Sequence, residues 1–421
     1  MCKVLSMGLS LVSVPLLIHC LGNEKYGIWA SVMSMTSWIY LLDLGIGGGL
    51  RNRLSESLAR EDFIAARRYL NITYIMLGGV CFFVFLCAIC ILKVINIADL
   101  LHCYPANENM DCIVGIALGF ACVNFLFSLV NNILYALQRA GWVSIYNVIG
   151  QSFWILGILV SIYWNFHLLT AIAMVEGIAQ FLKNIIATLD VFNRCPTLRF
   201  SLCFNKSMLL EGSKVLSLGL QFFIVQIASL TFTSTDNILI LKYLGAESVT
   251  EYSLCYKYFS TIETTFLALI TPLCSAYTVA YTKQNLFQIK KMMRKSLMLY
   301  GVFIILTILA TGIFPFFLKI WTQSDISVSV HLLFLMMIYF ILLMFCHNFS
   351  MIVSGVGKLK LITFAVGIEA IINVPISLFL AVYCNLGLNG IIGGSIISIL
   401  ISAGVYPYVT VKEIRKLKEE L

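Results

Sequence analysis

Residues 67–93 read RRYLNITYIMLGGVCFFVFLCAICILK: two arginines, a run without one charged side chain from Tyr69 to Leu92, and a single lysine beyond it. As an α-helix, such a run covers the hydrocarbon core of a bilayer, which needs ~20 predominantly apolar residues. Working outward from 71–92, eleven further stretches share its character: 4–21, 26–45, 112–136, 142–164, 168–189, 215–241, 252–277, 297–320, 328–352, 361–383 and 387–409. The charges between them alternate. Twenty-two of the 28 Lys and Arg residues occupy the even-numbered gaps and the two ends, notably Arg51 to Arg68, Arg194 to Lys214, Lys283 to Lys295 and the tail from Lys412. The opposite gaps hold only Lys25, Lys93, Lys242 and Lys319, while Lys183 and Lys257 fall inside stretches. Cytoplasmic loops carry the excess of Lys and Arg, so both termini are expected in the cytoplasm. An even span count demands the same, and the two readings check each other.

Composition agrees. The chain is 60% hydrophobic and 11% charged, with a mean hydropathy of +0.94, which excludes a soluble globular protein. Backbone groups in lipid must be satisfied within their own segment, so the expected fold is an all-α polytopic membrane protein of about twelve spans. The net charge of +8 comes from the cytoplasmic loops and calls for no nucleic-acid partner. No gap is long enough for a nucleotide-binding or extracellular domain. Of the 14 cysteines, most lie in spans, where cysteine behaves as a small apolar residue. Cys103 and Cys112 share an outer loop and would be the one disulfide candidate; no metal-type spacing accompanies them. No cleavable signal peptide is evident, because the first apolar stretch follows directly on Met1-Cys2-Lys3.

The chain also repeats at about half its length. Leu21-Gly22-Asn23-Glu24 is echoed by Leu244-Gly245-Ala246-Glu247, and Tyr26 by Tyr252. Arg67-Arg68-Tyr69 is echoed by Arg294-Lys295-Ser296, Asn132 and Gly141 by Asn348 and Gly357, and Asn165 and Leu168 by Asn385 and Leu388. Six spans per repeat give two lobes of the same orientation, related by an axis along the membrane normal. The expected organisation is a six-helix lobe over 1–189, a cytoplasmic linker over 190–214 with Pro196, a second lobe over 215–411 and a charged tail over 412–421. Duplication of this kind suits an alternating-access carrier more than an enzyme. Pro15, Pro272, Pro315, Pro375 and Pro407 fall in spans, where they either bend helices or reflect the general tolerance of membrane helices for proline.

The N-terminal stretch is the most specific. Pro15, then Leu21-Gly22-Asn23-Glu24-Lys25-Tyr26-Gly27-Ile28-Trp29, then Leu42-Asp43-Leu44-Gly45-Ile46-Gly47 and Leu50-Arg51-Asn52-Arg53-Leu54-Ser55-Glu56 resemble the opening of the O-antigen and capsular polysaccharide flippases. These Wzx-type proteins belong to the multidrug/oligosaccharidyl-lipid/polysaccharide (MOP) exporter superfamily. Thr235-Asp236-Asn237 before Leu244-Gly245, and Tyr252 with Tyr256-Lys257, extend the likeness into the second half. The first span, at ~18 residues, is shorter than the resemblance leads one to expect. The resemblance implies a carrier that moves a polyprenyl-pyrophosphate-linked oligosaccharide from the cytoplasmic to the periplasmic leaflet of the bacterial inner membrane. Its implied partners are membrane lipids and the polymerase and chain-length proteins of polysaccharide assembly. No cofactor, metal or catalytic residue is implied, and the chain holds no HExxH, P-loop or Gly-x-Ser-x-Gly motif.

An ionisable group inside a span costs ~2.5–3.5 kcal/mol on insertion scales, so each one needs a partner, water or cargo. Asp236 and Lys257 flank the turn at Gly245 at similar depth; either they pair structurally, or Lys257 meets phosphate while Asp236 orients it or carries the coupling proton. Glu176 and Lys183, seven apart, share one helix face; Lys183 either lines a cavity or snorkels to the headgroups. Arg51 and Arg53 close the second span as topology anchors, with Arg51 also a candidate for bidentate capture of pyrophosphate. Glu263, Glu369 and Asp43 are candidate coupling-ion or ion-pair sites, and His347 a weaker one. A drug or small-cation antiporter of the same superfamily, or an intramembrane polysaccharide-assembly enzyme, are the alternatives. The in-span lysines oppose the first, and the short outer gaps oppose the second.

Overall fold

The computed structural model describes residues 2–39, 46–94, 96–101, 108–166, 168–198, 235–323, 326–356 and 360–419. Among these residues all regular structure is helical: α1 (Cys2–Ser37), α2 (Ile46–Ala59), α3 (Phe63–Val94), α4 (Ile97–Leu101), α5 (Met110–Phe127), α6 (Leu129–Ala136), α7 (Ala140–Tyr163), α8 (Leu169–Arg194), α9 (235–244), α10 (Ala246–Thr282), α11 (Leu286–Thr322), α12 (Val330–Val356), α13 (Lys360–Leu378) and α14 (Leu388–Glu419). Among the described residues, nine helical segments are long and apolar enough to cross a membrane by length and composition. α10 spans 37 residues and carries Lys257 and Glu263 in its first half. The chain divides into two compact units, Met1–Glu247 and Ser248–Leu421.

The first two apolar stretches form α1, which is two helices meeting at Gly22 (φ 78°, ψ 171°). Only glycine adopts that conformation without strain, so Gly22 fixes the turn between them. The same local geometry returns further along the chain. Gly245 has φ 91°, 223 residues after Gly22; Glu61 and Gln284 have φ 58° and 52°, again 223 apart; Asn165 and Asn385 both have φ 54°, 220 apart. Behind Glu61 and Gln284 the next helix is capped identically. Asp62 Oδ1 accepts from the Ala65 N–H at 2.9 Å, and Asn285 Oδ1 from the Gln288 N–H at 2.9 Å. The internal echo in the sequence is thus an echo of left-handed helix stops and side-chain caps.

In the first unit α1 lies on α7, α5 on α8, and α7 on α8, while α2 packs on α3 and α6. Leu50 and Leu54 of α2, Leu70 and Leu77 of α3, and Val130 and Ile133 of α6 share one buried cluster. Arg51 and Arg53 therefore belong to α2, whose apolar side joins this cluster. Beyond α8 the chain makes one 3₁₀ turn, Pro196–Leu198, with Leu198 buried. At the other end the expected tail is not separate: α14 continues to Glu419. Asp43 and Cys103 lie outside the described residues, as do 199–234, which hold most of the seventh span and of the linker.

Glu108 ties three elements of this unit. Leu168 at the start of α8 offers no side-chain cap. The Glu108 carboxylate supplies one instead, accepting from Leu169 N–H at 2.9 Å, Thr170 N–H at 3.0 Å and the Thr170 hydroxyl at 3.0 Å. Lys25, just beyond the Gly22 turn of α1, adds an ion pair at 3.3 Å. Negative charge at a helix N-terminus meets unsatisfied N–H groups and the positive end of the dipole. Burial pushes the Glu108 carboxyl upward, but the four donors outweigh it and hold it below the usual carboxylate range.

In the second unit α12 and α13 both pack on α14. A Cβ at Gly390 would strike the backbone of Ala381, and one at Gly394 the backbone and hydroxyl of Ser377. Glycine at these two positions lets α13 and α14 touch backbone to backbone, the close approach that favours helix association in lipid. Hydrogen bonds from Ser377 Oγ to Ile391 O (3.2 Å) and from Asn373 Nδ2 to Ser395 Oγ (3.0 Å) fasten the contact. Along α11, Val302, Ile305, Leu309, Ile313, Phe316 and Ile320 form an exposed apolar stripe at helical spacing. Such a stripe suits acyl chains.

Two outcomes are expected. Glu108→Ala should cost ~1–3 kcal/mol in a detergent unfolding assay. Because the Glu108 pKa is depressed on folding, its contribution is complete above the ordinary carboxylate pKa and is lost as pH falls through the lowered value. The wild-type advantage over the variant should therefore persist at neutral pH and shrink only in acid. Gly394→Val should destabilise by more than the ~1–3 kcal/mol of ordinary overpacking, read as a fall in melting temperature of the solubilised protein.

Candidate functional site

In the first unit the membrane-embedded cation is Lys183, on α8. Its methylene stem lies across α7 at Gly150, where an added Cβ would come within 2.7 Å of Lys183 Cδ. Glycine at 150 is what seats the lysine there. Among the described residues no carboxylate or hydrogen-bond acceptor is paired with its ammonium. Glu176 stands two turns away on the same face, half-buried, and is engaged in contacts of its own. Immediately after the lysine in α8, the buried Asn184 amide donates to Asn124 O at 3.3 Å, and Asn124 Nδ2 donates to Gly177 O at 3.0 Å. These bonds lock α5 to α8 and so fix the rotation of α8 that presents Lys183. The opposite face of α8, with Met174, Ile178 and Phe181, joins α3 and α5 around an apolar cleft of about 870 Å³. Lys183 thus sits on the polar side of an amphipathic spanning helix.

Arg51, Arg53 and Arg60 lie on or beside α2, and Arg194 ends α8. Arg51 is exposed and lies over the Tyr135 ring at 5.1 Å. Arg53 Nη1 pairs with Glu56 Oε2 at 3.1 Å, and Arg60 with Glu56 Oε1 at 2.8 Å. A cluster with no signal in the sequence closes α7 on α8: Tyr146 donates to Asp190 Oδ2 at 2.5 Å, Arg194 Nε pairs with Asp190 at 2.8 Å, and Arg194 stacks over Trp142 at 4.1 Å. Trp29 of α1 stacks on the buried Trp154 of α7 at 6.0 Å. α9 is fastened to α1 through Asn237, whose Nδ2 donates to Ser34 Oγ at 2.9 Å and whose carbonyl accepts from Ser31 Oγ at 3.1 Å. Its neighbour Asp236 is 2% exposed and interacts within the structure.

The second unit carries the remaining candidates. Lys257 is half-buried on α10, and its carbonyl accepts from Ser260 Oγ (3.0 Å) and Thr261 Oγ1 (2.8 Å). Glu263, one helix turn and a half further on, meets His347 of α12, with Oε1 and Nε2 3.2 Å apart. Nothing in the spacing of residues 84 positions apart announced that contact. Glu369 of α13, 3% exposed, accepts from the Ser402 N–H of α14 at 2.5 Å. All three acidic or imidazole groups are thus engaged between helices rather than facing lipid. Among the described residues no group of three or more His, Cys, Asp or Glu is arranged to hold a metal ion.

Comparison with known proteins accords with this architecture. A family model described as "Polysaccharide biosynthesis protein" matches residues 1–278. A candidate O-antigen transporter of Salmonella typhimurium is 23% identical over 406 residues, covering 94% of this chain and 90% of its own length. Among solved structures, a multidrug resistance MATE family transporter of the MOP superfamily, in an inward-facing conformation, aligns with a TM-score of 0.77 at 15% identity. It covers 99% of this chain and 95% of its own. The lipid II flippase MurJ, in an inward closed conformation, aligns with a TM-score of 0.70 at 11% identity, covering 99% and 88%. At these identities the structural likeness speaks for the fold alone, and the fold is that of the MOP superfamily. The family match spans well over half the chain: this multi-pass membrane protein belongs to the polysaccharide biosynthesis protein family.

Proposed function

We propose that this protein is a flippase that carries a polyprenyl-pyrophosphate-linked oligosaccharide, an O-antigen or related repeat unit, across the bacterial inner membrane by alternating access. Both termini then face the cytoplasm, as the charge alternation requires, and the cargo moves toward the periplasmic leaflet. The observation that carries the reading is Lys183: an ammonium within a spanning helix, seated over Gly150 and paired with no described residue. A cation so placed is costly unless something anionic reaches it. A pyrophosphate offers charge-assisted hydrogen bonds, roughly twice as strong as neutral ones, and a lysine, with three donors on a flexible stem, can follow a moving headgroup. Lys257, Arg51 and Arg53 are further cationic groups suited to the same headgroup. The O-antigen transporter names of its relatives support the choice of cargo. So does the absence of any need for bond chemistry: the carrier only binds and releases.

The alternative, a small-cation antiporter, draws support from the MATE-like fold. It would have to bring a cation past Lys183, and that repulsion makes it the weaker reading.

Lys183→Gln should lower surface polysaccharide roughly tenfold or more, the loss of one charged hydrogen bond of ~1.5–3 kcal/mol, with the protein still in the membrane. Lys183→Arg should retain part of the activity. Gly150→Ala, which adds a methyl group against the lysine stem, should lower it as well, although residue 150 carries no charge. Polysaccharide at wild-type levels with Lys183→Gln would remove Lys183 from the transport path.

A further inference from the structure

We infer that the apolar cleft between α3, α5 and α8 binds one phospholipid whose headgroup carries both a phosphate and a primary ammonium, as in phosphatidylethanolamine. The cleft encloses about 870 Å³, within the ~300–1,000 Å³ of ordinary ligand sites. It lies on the face of α8 turned away from Lys183, and the inference does not depend on what the protein carries.

Helix packing makes the cleft. Glycines let large side chains of the neighbouring helix come close. A Cβ at Gly119 of α5 would stand 3.3 Å from the Phe85 ring of α3, and one at Gly115 would stand 3.4 Å from Leu92 Cδ1. A Cβ at Gly177 of α8 would strike the Phe120 ring of α5. These contacts join the three helices but leave the cleft between them unfilled. Phe82, Val123, Met174 and Ile178 line it and are themselves exposed, so it opens toward acyl chains. From Cys112 to Leu126 the lining follows α5 for about 21 Å at ~1.5 Å per residue. One leaflet offers ~15 Å of hydrocarbon, half of a ~30 Å core. An acyl chain therefore lies in the cleft along its full depth.

Charge at one end selects the lipid. Phe85 meets Gly119 and Leu92 meets Gly115, so α3 and α5 run antiparallel, with the last turn of α3 level with the first turn of α5. Lys93 follows the lining residue Ile89 by four positions, and Asp111 precedes the lining residue Gly115 by four. Each thus extends its helix's lining stripe by one turn, to the mouth of the cleft. Lys93 is exposed and has no partner among the described residues. Asp111 accepts from Ile97 N–H through Oδ1 at 2.8 Å, and its Oδ2 meets no described residue. Asp99 of α4 is engaged in contacts of its own. A cation and a carboxylate at one mouth suit a headgroup with the opposite pair of charges. Phosphate meets Lys93 and the ammonium donates to Asp111, both as charge-assisted hydrogen bonds. A headgroup with phosphate alone leaves Asp111 facing a like charge. A quaternary ammonium has no N–H to donate.

Photolabelling of the full-length protein tests the proposal. The protein is placed in phosphatidylglycerol vesicles with a trace of phosphatidylethanolamine that carries a diazirine on one acyl chain. Adducts should concentrate on peptides of α3, α5 and α8, several-fold above those on the exposed apolar stripe of α11, the internal reference for folded protein. Unlabelled phosphatidylethanolamine should remove the cleft adducts, and phosphatidylcholine should not. Lys93→Gln should lower them by up to about fivefold, the worth of one exposed ion pair. Asp111→Asn, which keeps an acceptor for the Ile97 N–H, should do the same, with α11 labelling unchanged in both variants. Cleft adducts no denser than those on α11 would mean annular lipid only and would overturn the site. Equal competition by phosphatidylcholine, or labelling indifferent to both variants, would overturn the headgroup assignment. No transport is measured, so the result stands or falls apart from the carrier reading.

Discussion

A charge carried into hydrocarbon has lost its water, and whatever replaces that water determines what the charge can do. Most of the ionisable groups described in these helices have found a replacement within the protein. Just outside the spans, Glu108 is likewise surrounded by the first N–H groups of α8 and by Lys25. Asp190 is shared between Tyr146 and Arg194, and Glu369 is satisfied by the backbone of α14. These contacts hold helices in place and leave no capacity for a ligand. Lys183 stands apart because its stem is seated over Gly150 and no described residue is paired with its ammonium. The bundle supplies its position but not its counter-charge.

That division between satisfied and unsatisfied charge orders the two units. In the first, buried asparagines fix the roll of α8 and thereby aim one cation. In the second, glycines bring α13 and α14 into backbone contact, while Glu263 and His347 bridge α10 and α12. In both units the charged and polar groups are positioned by helix packing rather than by loops.

Much of this was legible in the sequence, for physical reasons that do not extend to the rest. Span length and loop charge are one-dimensional quantities, so stretches such as 71–92 reappear within α3 with little change. The repeat was legible because Gly22 and Gly245, and Asn165 and Asn385, mark backbone conformations that few residues adopt. Positions of in-span charges could be named, but not their partners. The Glu263–His347 contact and the cap that Glu108 builds on α8 join residues distant in the chain, and no periodicity encodes them. The seat of Lys183 depends on a glycine, whose only signal is a missing side chain. Residues 46–59, which carry Arg51 and Arg53, form a helix whose Leu50 and Leu54 pack against α3 and α6, a contact that loop charge does not encode.

The central claim is that an uncompensated ammonium within the membrane receives an anionic lipid headgroup. Binding of a short-chain prenyl pyrophosphate to the detergent-solubilised protein, followed by its effect on melting temperature, measures this most directly. The account predicts a concentration-dependent rise for the wild-type protein, a much smaller one for Lys183→Gln, and little for a prenyl alcohol without phosphate. Equal stabilisation of wild type and variant by the pyrophosphate would contradict it.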